Sequence, residues 1–192
     1  MRCHLPAGLF AVAFSAFVSV IANCVAADSA AAAGPAVGAA VPALKVQAMT
    51  SDAQFEEADA ATAAADKPVV YLLVQHSKWD RPIARFLKTL DDKIRDTSAT
   101  AVAYDVFLSS DVEQVKEYLP KVNQSLRFQH STLASYTDDG TGPADWNVSG
   151  DASLTVAVAY KGKIAATFSY VSTNETDVPA VLEAVKKALD EK

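Results

Sequence analysis

An unbroken apolar segment at residues 69–74, VVYLLV, constrains the fold of this chain more than any other feature. Four of its six residues are β-branched or aromatic, and such a run is typical of a strand buried on both faces at the centre of a sheet. A strand of this kind needs a covering layer on each side. The 192 residues are enough for one such domain, since roughly 100–200 residues per domain is usual.

An amphipathic helix is predicted immediately after this strand, over about residues 80–95. Its apolar residues recur at the spacing of one helix face, and they are Ile83, Phe86, Leu87, Leu90 and Ile94. Asp80 precedes this stripe and is the expected N-cap, while Pro82 is tolerated in the first helical turn. The strand and the helix together form the first half of a strand–helix–strand unit.

The rest of the chain continues this alternation of strands and helices. Further strands are predicted at residues 44–49, 101–108, 128–136, 153–160 and 164–170, and further helices at residues 51–65, from Ser110 onward and at residues 178–189. Alternating strands and helices pair in parallel through crossovers, whereas the KGK turn at residues 161–163 predicts an antiparallel hairpin. We therefore expect an α/β fold with a mixed central sheet and helices on both faces.

Residues 1–27 are predicted to be a secretory signal peptide. Arg2 supplies the charged start, residues 9–22 are apolar, and VAA at residues 25–27 places small residues before the expected cleavage site. Two alternatives stay open: an uncleaved membrane anchor, and a lipoprotein modified at Cys24, although the residues before Cys24 match the latter pattern poorly. We expect a secreted or periplasmic protein. No other segment has the roughly 18–20 apolar residues needed to span a membrane.

The remaining chain is predicted to comprise a linker and one domain. Residues 28–42 are rich in Ala, Gly, Ser and Pro and are expected to form a flexible linker. Residues 43–192 contain all the strands and helices predicted above. We expect them to form a single domain.

Both cysteines of the chain, Cys3 and Cys24, lie within the predicted signal peptide. The mature protein would therefore contain no thiol, which excludes disulfides and thiolate chemistry. A net charge of −6 argues against nucleic-acid binding, because phosphate contacts need a basic face. The histidines and carboxylates show no metal-ligand spacing, and no metal or other cofactor is predicted.

Several short motifs resemble those of the thioredoxin-like superfamily. KPVV at residues 67–70 resembles the segment that leads into the redox motif of thioredoxins, and LTV at residues 154–156 with YKGKI at residues 160–164 resembles their proline-containing strand and hairpin. Residues 37–44, 126–136 and 144–150 resemble segments of the peroxiredoxin-like members. The resemblance covers most of residues 37–190 and implies a three-layer thioredoxin-like fold.

The chain departs from the superfamily at both hallmarks of its thiol chemistry. Lys78 and Arg81 stand where the two cysteines of the C-x-x-C motif would be, and the loop lacks the Thr-x-x-Cys of peroxiredoxins as well. Leu154 stands in place of the cis-proline, although Thr155 is kept. The resemblance therefore implies a fold that has lost the superfamily's thiol reaction, and no catalytic residue is assigned.

One group of residues forms the candidate ligand-binding site: His76, Ser77, Lys78, Trp79, Asp80, Arg81 and Thr155. The first six lie between the end of a central strand and the start of a helix, where open α/β sheets bind ligands. The free N–H groups and the dipole of a helix start, with Lys78 or Arg81 nearby, favour an anion. The alternative interpretation is an exposed, capped helix start without a ligand.

These observations predict an exported, redox-inactive thioredoxin-like domain that acts as a binding or interaction module. Its partner would be a small anionic ligand or an unknown protein. The alternative is an enzyme of the same superfamily that uses non-thiol polar residues in the same cleft. A fold alone does not identify an activity, so both hypotheses depend on what the site contains.

Overall fold

The computed structural model describes residues 33–63 and 66–190. Seven strands form one sheet in the order β2-β1-β5-β4-β3-β6-β7. The strands are β1 (Lys45–Met49), β2 (Phe55–Asp59), β3 (Val69–Gln75), β4 (Val102–Leu108), β5 (Ser131–Tyr136), β6 (Leu154–Tyr160) and β7 (Lys163–Tyr170), and the helices are α1 (Ala60–Ala63), α2 (Arg81–Thr97), α3 (Val112–Leu126) and α4 (Val178–Asp190).

The sheet is mixed, as the sequence predicts. β3, β4 and β5 pair in parallel, and α2 and α3 form the crossovers between them. β6 pairs with β3 and β7 in antiparallel fashion, and β1 joins the other side of the sheet antiparallel to β5. The predicted α/β class and the predicted hairpin at residues 153–170 are thereby confirmed.

The three long helices all cover one face of the sheet, here called the helical face. Val70, Leu72 and Val74 of β3 point into the core beneath α2, α3 and α4. The opposite face receives the alternate residues of β3, among them Tyr71. In the described part of the chain its helical cover is the short α1 and a 3-10 turn at Ala144–Trp146, and Leu44 also packs there. Helices thus lie on both faces, but most of the helical residues lie on the helical face.

Trp146 compensates for the absence of a long helix on the opposite face. Its side chain is fully buried, its ring meets that of Tyr71 edge-on at 5.2 Å, and its Nε1 donates to the carbonyl of Ala43 at 3.2 Å. Trp146 thus fills the edge of the core beneath the loop that joins β5 to β6.

The helix predicted at residues 51–65 is wrong. Residues 55–59 form β2, which pairs with β1 from Met49 opposite Phe55 to Lys45 opposite Asp59. The turn that joins these strands contains Ala53 in the left-handed region, at φ 57°. Pairing with β1 satisfies one side of the β2 backbone, and a single helical turn, α1, follows it.

The N-cap of α3 is Asp111, one residue after the predicted Ser110. The Asp111 carboxylate accepts from the amide of Gln114 at 2.9 Å, as a capping side chain does. The helix continues to Leu126, so Pro120 does not end it.

The first part of the described chain packs against the β6–β7 hairpin. Gly38 donates its amide to Ile164 at 2.8 Å, and Val41 donates to Gly162 at 2.9 Å. Gly34 lies so close to β7 that a Cβ there would be 3.1 Å from Thr167 Cβ. Residues 33–42 of the predicted flexible linker are therefore bound to the domain, because their amides pair with hairpin carbonyls. Residues 28–32 and the predicted signal peptide lie outside the described residues.

Asp105 is a buried carboxyl group in the centre of the sheet. It lies on β4 between Leu72 of β3 and Leu133 of β5, is 1% exposed, and neither carboxyl oxygen has a hydrogen-bond partner. Burial raises the pKa of Asp105 well above the ordinary 3.8, and the nearby Asp91 carboxylate raises it further. The Ser131 hydroxyl opposes this shift without reaching hydrogen-bond geometry.

Asp91 is equally buried but fully partnered. It lies on α2, and its two carboxylate oxygens accept from the amides of Gln129 at 2.9 Å and His130 at 2.7 Å. The Lys88 ammonium lies 3.7 Å from the same carboxylate. The Asp91 carboxylate therefore connects α2 to the segment that leads into β5, whereas the Asp105 carboxyl group makes no such hydrogen bond.

Candidate functional site

The six consecutive candidate residues do not converge on one cleft. His76, Ser77 and Lys78 form a 3-10 turn at the end of β3, Trp79 and Asp80 connect it to α2, and Arg81 is the first residue of that helix. Their side chains point to four separate places: a polar pocket, the loop before β6, the first turn of α2, and a groove between α2 and α3.

His76 and Ser77 line one wall of the polar pocket, which has a volume of about 540 Å³. Ser109, Ser110 and Asp111, which follow β4, line the facing wall. The pocket lies beyond the carboxyl ends of two parallel strands, where ligand sites of α/β sheets concentrate. Its lining therefore offers hydroxyl groups, one imidazole and one carboxylate, but no cation.

The imidazole of His76 is only partly satisfied. Its Nδ1 is buried without a hydrogen-bond partner, and the ring lies 5.7 Å from that of Tyr118 and 6.2 Å from that of Phe107. Gly140 closes another side of the pocket. A Cβ there would lie 2.9 Å from the amide nitrogen of Ser110, so this close approach of the loop requires glycine.

Lys78 binds the loop that precedes β6. Its ammonium donates to the carbonyl of Gly150 at 2.7 Å and to that of Ala152 at 3.4 Å. The two residues lie just before Leu154, the residue that stands in place of the cis-proline. Lys78 thus acts as a structural tie between the 3-10 turn and this loop, and its charge is already engaged.

Lys78→Met is expected to loosen the loop around residues 149–153. Methionine keeps the apolar stem but removes the donor to Gly150 and Ala152, so amide hydrogen exchange there should quicken by about 5- to 30-fold, which corresponds to about 1–2 kcal/mol of local stability. Hydrogen-exchange mass spectrometry measures this. Lys186→Met, an exposed lysine on α4, is the matched control and should leave this loop unchanged. Unchanged exchange in Lys78→Met would contradict the tie.

Few free N–H groups remain in the first turn of α2 to bind an anion. The Asp80 carboxylate accepts from the amide of Ile83 at 3.0 Å, and Pro82 has no N–H group. Because the capping carboxylate already faces the positive end of the helix dipole, a second anion would meet repulsion there. The predicted anion site at the helix start is therefore not supported by the geometry.

Trp79 and Arg81 lie on a different surface, the groove between α2 and α3. This α2–α3 groove consists of two adjoining hollows of about 470 and 190 Å³. Its lining includes Arg81, Ala84, Arg85 and Lys88 from α2 and Lys121 and Leu126 from α3. Trp79 lies at one end of it.

Thr155 lies apart from the other candidate residues. Its side chain is fully buried in β6 on the opposite face of the sheet, beneath Gly34, and its Oγ1 has no hydrogen-bond partner. The peptide bond before Leu154 is trans, as are all those of the described residues. A ligand beside the 3-10 turn would thus not reach Thr155.

Solved structures with similar folds include a thiol:disulfide interchange protein DsbE from Chlorobium tepidum, with a TM-score of 0.59 at 15% identity over 81% of this chain and 99% of that one. A peroxiredoxin-like protein from Aquifex aeolicus has a TM-score of 0.55 at 18% identity over 79% and 86%. The exposed lipoprotein thioredoxin of Streptococcus pneumoniae has a TM-score of 0.52 at 13% identity over 76% and 99%. The chain has a thioredoxin-like fold. No protein-family model and no curated protein sequence matches it.

The polar pocket and the α2–α3 groove each have two walls, and the candidate residues predicted from the sequence belong to only one wall of each. Ser109, Ser110 and Asp111 could have been found because they follow a predicted parallel strand. Lys121 and Leu126 gave no comparable signal, since only the packing of α3 beside α2 brings them to Arg81.

Within residues 33–63 and 66–190, no three His, Asp or Glu side chains are grouped as a metal site requires. No helix in the same ranges is long and apolar enough to cross a membrane.

Proposed function

We propose that this chain is an exported, redox-inactive thioredoxin-like domain that acts as a binding module. The observation that carries the proposal is the role of Lys78. It stands where the resemblance puts the first redox cysteine, and its ammonium is bound to the Gly150 and Ala152 carbonyls. The sequence has no cysteine after Cys24, so a thiol reaction has no nucleophile at this place.

Four of the seven predicted ligand-contacting residues line a surface that a ligand can reach under this proposal. His76 and Ser77 would contact a ligand in the polar pocket, and Trp79 and Arg81 a ligand in the α2–α3 groove. Lys78 and Asp80 would act on the fold, as a loop tie and a helix cap.

The proposal that the protein is exported rests on the predicted signal peptide at residues 1–27. The intact mass of the protein from its native host tests it: we expect residues 28–192 with no thiol-reactive adduct. A mass that retains a modified Cys24 would instead identify a lipoprotein, with the segment after Cys24 as its tether to the membrane. A mass of the whole chain would contradict cleavage.

Redox inactivity is tested by insulin reduction with dithiothreitol as the electron source. The mature protein is expected to leave the background rate unchanged, because it has no thiol to enter a mixed disulfide. The double variant Lys78→Cys/Arg81→Cys places two thiols at the C-x-x-C positions at the start of α2 and is expected to accelerate the reaction several-fold. Acceleration by the unaltered mature protein would overturn the proposal.

The second candidate function is an enzyme that uses non-thiol groups, and the unpartnered Nδ1 of His76 beside Ser77 favours it. An imidazole with a free nitrogen in a polar pocket can act as a general base. Hydrolysis of p-nitrophenyl acetate by the unaltered protein and by His76→Gln compares the two hypotheses. Equal rates are expected for a binding module, whereas a rate that depends on His76 would favour the enzyme.

A further inference from the structure

The α2–α3 groove concentrates positive charge on an acidic protein. Four cationic side chains line it, Arg81, Arg85, Lys88 and Lys121, against one acidic side chain, Glu175. The chain as a whole has a net charge of −6. A local excess of cations in such a chain provides electrostatic complementarity to an acidic partner.

Two of these cations are available to a ligand. Arg81 is exposed and has no ion pair among the described residues, and Arg85 is 56% exposed, with only Glu175 at 3.6 Å. An exposed pair of this kind contributes little, so a carboxylate of a ligand can replace Glu175 at small cost. Lys88 is more firmly held, at 2.6 Å from Asp92.

The floor of the groove is apolar. Ala84 and Leu126 line both hollows, and Val122 and Trp79 line the smaller one. The Trp79 ring is fixed, because its Nε1 donates to the Tyr118 hydroxyl at 3.0 Å and its centroid lies 5.0 Å from that of the tilted Phe107 ring. A ligand that fits must therefore present apolar groups to the floor and carboxylates to the rim.

The spacing of the cations favours an extended peptide. Arg81 and Arg85 are four residues apart on α2, which places them about 6 Å apart along the helix axis at ~1.5 Å per residue. In an extended chain, side chains on the same side recur every two residues, or about 6.6 Å. Carboxylates at alternate positions of an extended peptide would thus match the two guanidinium groups, which also bind carboxylates through paired hydrogen bonds.

We propose that the α2–α3 groove binds an extended acidic peptide segment in which carboxylate and apolar residues alternate. The inference rests on the proposed role as a binding module and names the surface and the partner's chemistry. Arg81 and Arg85 hold the carboxylates, and the intervening apolar side chains occupy the floor at Ala84 and Leu126.

Fluorescence anisotropy with a fluorescein-labelled peptide of four Glu-Leu repeats tests this proposal on the mature protein. We expect saturable binding with a Kd below about 100 µM. Peptides of Lys-Leu and Glu-Ser repeats separate the contributions of charge and apolar contact, and each should bind at least about tenfold more weakly. Quenching or shift of the Trp79 emission provides a second readout, because the other tryptophan, Trp146, is fully buried on the opposite face.

Two matched charge reversals locate the binding site. Arg81→Glu/Arg85→Glu is expected to weaken binding of the Glu-Leu peptide at least tenfold, by about 1.4 kcal/mol or more. Lys161→Glu/Lys163→Glu, at the β6–β7 hairpin, changes the net charge equally and should alter the Kd less than about twofold. Circular dichroism and melting temperature verify that both variants are folded.

Three outcomes would overturn the proposal: no saturable binding of the Glu-Leu peptide, equal losses in the two charge-reversal variants, or equal binding of the Glu-Ser peptide. Equal losses would indicate attraction to the whole molecule, and equal binding of Glu-Ser would indicate that the apolar floor is not used. None of these results would affect the insulin-reduction and mass measurements, so a failure of the groove is distinguishable from a failure of the proposed redox-inactive, exported domain.

Discussion

Replacing Asp105 with Asn is expected to raise the free energy of unfolding at neutral pH. The Asp105 carboxyl is enclosed by the helical core without a hydrogen-bond partner, and the Asp91 carboxylate lies close enough to raise its pKa further. The folded chain must therefore keep this group protonated or bury an unpaired charge, and both cost free energy. Asparagine has nearly the same shape and no charge to lose.

The gain should depend on pH in a defined direction. Because the pKa of Asp105 is raised in the folded state, the folded chain holds a proton that the unfolded chain releases above its ordinary pKa of 3.8. The stability from this proton is complete below that pKa and is lost as pH rises towards the folded pKa, by about 1.4 kcal/mol per pH unit. The advantage of Asp105→Asn over the unaltered protein should therefore grow with pH across this window.

Urea unfolding of both proteins between about pH 5 and 8 measures this difference. Asp105→Val should gain at least as much as Asp105→Asn, because valine suits a central strand and leaves no polar atom unpaired. Asp91→Asn is the opposite control and should lose stability, because the Asp91 carboxylate accepts from two backbone amides. Parallel stability curves for Asp105→Asn and the unaltered protein would show that Asp105 is ionised and paired in solution.

Trp146→Ala is expected to lower the free energy of unfolding by about 3–5 kcal/mol. The side chain is fully buried on the face of the sheet that has no long helix, and its removal would expose Tyr71 and leave the Ala43 carbonyl without its donor. Domains of this size are stable by only about 5–15 kcal/mol, so this loss is a large fraction of the total stability.

Two further variants distinguish a local packing role from a general effect of losing an indole. Trp146→Phe should cost only about 1–2 kcal/mol, because an aromatic ring still meets Tyr71. Trp79→Ala should cost less than half as much as Trp146→Ala, because Trp79 is only partly buried, although it too donates to a neighbour. Urea unfolding followed by circular dichroism measures all three variants, and equal costs for the two Ala variants would refute the role assigned to Trp146.

The strands and helices of the helical face were predictable because their apolar residues recur at the spacing typical of a strand or a helix. The apolar run of β3 and the stripe of α2 both depend on local spacing, and the cap at Asp80 lies where the sequence predicts it. The helix predicted at residues 51–65 failed for a related reason. Its alanines favour a helix in isolation, but β1 pairs with every residue from 55 to 59, and this pairing overrides the local helix preference.

The position of residues 76–81 in the fold was predictable, but the arrangement of their side chains was not. Residues 76–81 do lie at the end of a central strand, yet their side chains separate because the 3-10 turn directs them to different neighbours. Lys78 could not be recognised as a loop tie, since Gly150 lies 72 residues further along the chain. Asp105 gave no signal either, because a single carboxylate in a strand does not indicate whether its neighbours can pair with it.

The sequence by itself determined the strand–helix order from β3 onward, the mixed sheet and the absence of cysteine after residue 24, because each follows from local spacing or from composition. Only the tertiary structure decided which groups are free to act. Asp80 and Lys78 are satisfied by the helix start and the loop, while Arg81 and Arg85 remain exposed above an apolar floor that α2 and α3 form together. Whether a charged side chain is engaged or available depends on partners distant in sequence, which only the packed chain brings within reach.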